Sequence, residues 1–304
     1  MAAGIRREFL VVALLLNFGT ATFCASPLEE KLAALAKNHK GKVAIAFKHL
    51  ENGASFFLNA DDVMPTASLI KLPVMVEVYT QAKDGKVQLD EMLTLTKEEM
   101  VQGSGILTEH FSPGATLSLR DTVRLMIAFS DNTATNMVLD RIGIPSTNKL
   151  MDELKLPNTR INAKVFKGSS TSIDPARTKK YGLGSTTARE MLLLVELLHQ
   201  DKLVSVAACK EMLGHLKKCE DKDKFSRFLP AGATVAHKTG SVSDARTDAG
   251  ILYFKGGPVA VCVLTNDNED KAFKQDNAGN RLCAEAAKVI YLHFAQPDKK
   301  NDKK

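Results

Sequence analysis

Apolar residues after Ser26 recur at helical spacing. Leu28, Leu32, Leu35 and Ala36 share one face, which predicts a helix running to about Lys40. Ser26-Pro27-Leu28-Glu29 supplies its start: a capping serine, proline at the first position and glutamate three residues on. The period then changes to two. Val43, Ile45 and Phe47 alternate, Asn52-Gly53 marks a turn, and Phe56 and Leu58 alternate back, which predicts a β-hairpin. From about residue 66 to 225 the pattern is mainly helical. Ser118-Leu119-Arg120-Asp121 opens a helix that carries Val123, Leu125, Met126 and Phe129 to Ser130, and Thr187-Ala188-Arg189-Glu190 opens another through Leu192 to Leu198. Beyond Leu229 strand patterns return at Thr234 to Ser241, Ala249 to Phe254 and Val259 to Thr265, the last two joined across Gly256-Gly257. An amphipathic helix from about Asn277 to Phe294 follows.

Strands near both ends around a helical middle predict an α+β fold. One antiparallel sheet is built from both ends of the chain and covered by the terminal helices as a three-layer α/β sandwich, with an all-helical lobe inserted. The expected division is a single domain over 26–296, with a sheet lobe of 26–65 and 226–296 and a helical lobe of 66–225. Before it, Arg6, Arg7 and the apolar run Phe9 to Leu16 read as a secretory signal peptide over 1–25, so the protein is expected to be exported to a periplasm or the extracellular space. Phe23 is too bulky for the small-residue site that would make Cys24 a lipid anchor. Residues 297–304 form a Lys/Asp-rich end expected to be disordered.

Composition narrows the functional classes. The 304 residues carry a formal charge of +6 spread along the chain, with no Trp and no interleaving of basic and aromatic residues, so no nucleic-acid partner is expected. No other stretch is apolar enough for a membrane span. Cys209, Cys219, Cys262 and Cys283 lie beyond the signal segment, and export permits disulfides between them, although Cys262 inside an apolar strand equally suits a buried free thiol. With no CxxC pair and no His-Glu-x-x-His string, neither a metal nor another cofactor is implied.

Chemistry concentrates in three strings: Ser68-Leu69-Ile70-Lys71, Ser130-Asp131-Asn132 and Lys238-Thr239-Gly240-Ser241. A second Ser-x-x-Lys at Ser146 and Lys149 has no such company and carries no meaning. Serine needs a base before it attacks, and an amine with a lowered pKa one helical turn away can serve. Burial, or the charge of Lys238, would lower the pKa of Lys71. Pro73 requires the helix to begin almost at Ser68, which would put the hydroxyl at an electropositive N-terminus. Ser130 would relay a proton to a departing nitrogen, Asp131 would cap a helix, and Asn132 would bind a substrate amide. Lys238 and Thr239 would hold a substrate carboxylate, Gly240 would let substrate lie against the backbone, and the N–H groups of Ser68 and Ser241 would form an oxyanion hole.

With these strings the chain resembles the class A β-lactamase and penicillin-binding serine hydrolase family. The resemblance spans nearly all of the chain after the signal segment and includes Gly103-Ser104-Gly105-Ile106-Leu107, Asn132-Thr133-Ala134-Thr135-Asn136 and Thr186-Thr187. It implies the serine β-lactamase/DD-peptidase-like fold, an acyl-enzyme on Ser68, and a β-lactam or D-alanyl peptide-like substrate, in a protein expected to be a monomer. One part of the family pattern is missing. The family carries Glu-x-x-Leu-Asn upstream of the Thr-Thr pair, and its Glu activates the water that releases the acyl group. Between Glu153 and Glu190 the only carboxylate is Asp174, followed by Pro175, Ala176 and Arg177. Asp174 is therefore either the deacylating base or a turn-forming Asp-Pro. Without the glutamate, three readings stay open: a β-lactamase with slow release, a DD-peptidase or esterase-like enzyme, and a penicillin-binding sensor acylated without turnover. Arg246 is a further candidate for holding the carboxylate.

Overall fold

The computed structural model describes residues 26–295, so the expected signal peptide and the charged tail lie outside the described residues. Five strands, β1 (Lys42–His49), β2 (Ser55–Leu58), β3 (Thr234–Val242), β4 (Ala245–Tyr253) and β5 (Val259–Asn266), form an antiparallel sheet in the order β2-β1-β5-β4-β3. The sheet is thus assembled from both ends of the chain. In the hairpin, Phe47 pairs with Phe56 and Ile45 with Leu58, and Asn52 Oδ1 accepts the Ala54 N–H at 2.9 Å in the turn.

Helices cover both faces of the sheet. On one side α1 (Pro27–Asn38) brings Leu28 and Leu32 against Ile45, Phe47, Val261 and Val263. Its Ser26 cap is reciprocal: Ser26 Oγ accepts the Glu29 N–H, and the Glu29 carboxylate accepts the Ser26 N–H at 2.9 Å. The opposite face is largely alanine, with Ala44, Ala46, Ala236, Ala249 and Ala260. These small side chains let helices approach closely. The central strand β5 therefore reads as a continuous apolar run, as a strand covered on both faces must.

The remaining helices that position the site are α2 (Lys71–Lys83), α3 (Leu119–Ala128), α4 (Asn132–Ile142), α5 (Pro175–Tyr181), α6 (Ala188–His199) and α7 (Val206–Leu216). The C-terminal helix α8 (Ala278–Phe294) packs beside α1. α6 lies on the alanine face while α1 and α8 cover the other, which completes three layers. No helix among the described residues is long and apolar enough to cross a membrane.

Three details depart from the pattern-based expectation. β4 begins at Ala245 rather than Ala249, because Arg246, Thr247 and Asp248 are polar yet buried and broke the apolar alternation. Two small antiparallel sheets, Met64–Pro65 with Gly184–Thr186 and Arg160–Ile161, and Met92–Thr94 with Thr116–Ser118, interrupt the helical middle. Strands of two or three residues are too short to show alternation. The helix near Ser68 begins as a 3₁₀ turn, Ala67–Ile70, and becomes α-helical at Lys71. Pro73 then falls in the first α-helical turn, where its missing N–H costs nothing.

Candidate active site

Ser68 lies half-buried on the 3₁₀ turn, directly after Ala67 at φ +47°. A left-handed alanine is strained by about 1–2 kcal/mol, so the surroundings must hold it. They do so through Thr66, whose carbonyl accepts from Leu69 N–H at 3.1 Å and from Thr247 Oγ1 on β4 at 2.9 Å. The sheet presses in as well. A Cβ at Gly240 would stand 2.5 Å from Thr66 O and 2.9 Å from Leu69 N. Gly240, expected to admit substrate to the backbone, also admits the protein's own Ser68 turn.

Lys71 is fully buried and donates to Ser130 O at 2.6 Å, Asn132 Oδ1 at 2.8 Å and Ser130 Oγ at 3.3 Å. Ser68 Oγ is not among its hydrogen-bond partners. Burial, and then the charge of Lys238, hold Lys71 well below the ordinary lysine range, against a smaller opposing pull from Asp131. Lys238 is also fully buried and donates to Ser130 Oγ at 3.1 Å and to Thr239 O at 2.7 Å; burial lowers its pKa too. One hydroxyl, Ser130 Oγ, therefore sits between two amines. Such a hydroxyl can pass a proton between them.

Asp131 fixes this junction. Its carboxylate accepts the N–H of Ala134 at 2.8 Å as the α4 cap, and those of Ile106 and Leu107 at 2.7 and 2.9 Å. A Cβ at Gly105 would fall 2.3 Å from the Asp131 carboxyl carbon, so the loop needs glycine there. Ser104 Oγ then donates to Ser130 O at 2.8 Å, and Asn132 N–H to Ser104 O at 3.0 Å.

Ser68, Ser130, Asn132, Lys238, Thr239, Gly240 and Ser241 all line one cleft of about 790 Å³. Three expected site residues do not line it: Lys71, buried behind Ser130 and Asn132, and Asp174 and Arg246. Asp174 caps α5, its carboxylate accepting the Arg177 N–H at 2.9 Å, as an Asp-Pro turn does. Asp174→Ala should accordingly lower stability by about 1 kcal/mol in thermal unfolding and leave turnover unchanged; a tenfold loss of turnover would return this carboxylate to the chemistry. Arg246 is 1% exposed, and its guanidinium donates to the carbonyls of Val242, Ala245 and Ala272 under the ring of Phe273. It clamps the loop after β5 instead of facing a ligand.

Several other lining residues gave no sequence signal as site residues. Val165 occupies the wall, its backbone held on both sides by one side chain: Val165 N–H donates to Asn136 Oδ1 at 2.9 Å, and Asn136 Nδ2 to Val165 O at 3.2 Å. Phe129, Phe166 and Phe273 are exposed and rim the opening, Phe166 with a strained φ of +56°. Among the described residues the lining carboxylates are Glu220 and Asp221, on the Lys238 side. Burial opposes ionisation of Asp221, yet the Lys224 ammonium at 2.7 Å holds its carboxyl far below the usual range. Among the described residues no group of His, Cys, Asp and Glu is arranged to hold a metal ion, and the four cysteines are buried and free.

Fold and cleft together place the chain among the serine hydrolases. A family model described as the β-lactamase enzyme family matches residues 27–294. The chain belongs to that family. A β-lactamase of Bacillus licheniformis is 28% identical over 268 residues, covering 86% of this chain and 82% of that protein. The crystal structure of a β-lactamase from Sphaerobacter thermophilus superposes with a TM-score of 0.77 at 26% identity, covering 89% of this chain and 98% of that one. A mutant of PBP-A, solved as an acyl-enzyme complex with penicillin G, is 26% identical with a TM-score of 0.75, covering 88% of this chain and 96% of that one.

Proposed function

We propose that this hydrolase opens a β-lactam, or the similar amide of a D-alanyl peptide, through an acyl-enzyme on Ser68 that it releases slowly. The observation that carries the reading is the distribution of charge in the cleft: two buried amines flank Ser130, while the wall at Val165 bears no carboxylate. Lys71, whose pKa burial and then Lys238 lower, takes the Ser68 proton as the hydroxyl attacks the carbonyl. Ser130 hands a proton to the departing nitrogen and is resupplied from the amines it touches. Lys238, Thr239 and Ser241 receive the substrate carboxylate, Asn132 its amide, and the Ser68 and Ser241 N–H groups the developing oxyanion. Each of these groups serves formation of the acyl-serine. Release requires a base for water on the free face, and Asp221 stands on the wrong side, engaged by Lys224.

Mixing the protein with a chromogenic cephalosporin tests this. The expected trace is a burst of product equal to the enzyme, with added mass on Ser68, followed by a slow steady phase. Sustained turnover without a burst would remove slow release, and neither product nor adduct would remove β-lactams as substrates.

A further inference from the structure

Residues 164–167 form a tight turn in the cleft wall, closed by Lys167 N–H donating to Lys164 O at 3.2 Å. Phe166 takes its third position at φ +56°, a conformation that such turns ordinarily give to glycine or asparagine. The surroundings leave the turn no easy way to relax. Asn136 clamps Val165, Lys164 N–H donates to Thr171 Oγ1 at 3.0 Å, and the amines of Lys164 and Lys167 reach the Asp140 carboxylate and the Glu98 carbonyl. The strain brings the fold little in return, because the ring it displays is 73% exposed. What the ring does reach is the opposite wall. A Cβ on Gly103, itself at φ +95°, would stand 3.1 Å from Phe166 Cε2 and 2.7 Å from Asn132 Nδ2. Glycine at 103 thus leaves room for the ring beside the Asn132 amide, and all three residues line the cleft.

We propose that Phe166 is a specificity-determining residue, its ring the platform for a planar apolar group on the acyl side of the substrate. The proposal rests on the function given above, in which Asn132 binds the substrate amide. Lys238, Thr239 and Ser241 hold the carboxylate on the nitrogen side of the scissile bond. The chain beyond the amide therefore leads away from them, towards the wall that carries Phe166. A phenyl group seated there stacks on the Phe166 ring, offset or edge to face, and takes apolar area on both rings out of water. An acyl group without a ring makes no such contact. The two cations of the turn do not turn this place into an anion site, because Asp140 engages the Lys164 ammonium and the Glu98 carbonyl engages that of Lys167. Phe129 and Phe273, exposed elsewhere on the same rim, keep the opening apolar. The substrates preferred are thus arylacetyl amides over the corresponding acetyl amides.

The test reads equilibrium binding by calorimetry in Ser68→Ala, which cannot be acylated at Ser68. Two ligand pairs serve: benzylpenicillin against the penicillin with acetyl in place of phenylacetyl, and N-phenylacetyl against N-acetyl D-alanyl-D-alanine. The phenylacetyl member is expected to bind about tenfold more tightly in at least one pair. Adding Phe166→Asn should collapse that preference to about one, and Phe166→Tyr, which keeps a ring, should retain it. Asparagine is at ease at positive φ, so Phe166→Asn should melt at or above the temperature of its parent. A ring that serves only the fold would instead lower the melting temperature and weaken both members of a pair alike, which overturns the proposal. A preference below about twofold with Phe166 in place overturns it as well, and needs no variant of Phe166 that folds. Binding of no ligand in either pair overturns this inference together with the function above, whereas binding without preference overturns this inference alone.

Discussion

Replacing Ser68 by alanine is expected to abolish every covalent product with penicillin, by intact mass, and to cut hydrolysis by a factor on the order of 10³ or more. The substitution removes one oxygen from a turn held by its backbone: Thr66 O, Leu69 N and the close approach of Gly240 do not involve the Ser68 side chain. The fold should therefore survive, and unfolding temperatures should be nearly unchanged. Ser130 cannot take over, because its Oγ is already engaged by the amines of Lys71 and Lys238. An adduct that persists in Ser68→Ala would place the nucleophile elsewhere and sink the mechanism.

Val165→Glu is expected to speed release of the acyl group by about a hundredfold or more, the usual reach of a positioned general base. Asn132 and Asn136 lie four residues apart on α4 and so share one face, about 5–6 Å from each other. Asn132 holds the Lys71 amine, and Asn136 holds the backbone of residue 165. A glutamate there extends its carboxylate from the wall towards the Lys71 side of the cleft, which carries no acid of its own. Val165 is 6% exposed, so burying the new charge should cost stability by about 1–3 kcal/mol unless it meets Lys71. The measurement is the single-turnover loss of the penicillin adduct by mass. A rate equal to that of the unsubstituted protein would mean that a missing acid on this wall is not what slows release.

Much of this arrangement was legible in the residues alone. Caps at Ser26, Ser118 and Thr187, the Asn52-Gly53 turn and the three chemical strings are local signals, and local hydrogen bonding enforces them. Arg246 and Asp174 could not be resolved in the sequence because a charged residue does not declare whether its partner is a ligand or the protein's own backbone, here carbonyls for Arg246 and the Arg177 N–H for Asp174. The start of β4 was hidden by the same ambiguity: Thr247 and Asp248 are polar, but their partners Thr66 and His237 come from other segments. Val165 had no signal at all. Its importance comes from which side chain faces the loop, and that depends on how α4 lies against it.

The clamp of Asn136 on residue 165 reads only an N–H and a carbonyl, groups that every residue except proline carries. Side-chain identity at that wall is consequently decoupled from the path of the loop. On the function proposed above, a single codon change at residue 165 would exchange a scaffold that holds its acyl group for one that discards it, with no rebuilding of the surrounding chain. Evolvability here is a property of one asparagine.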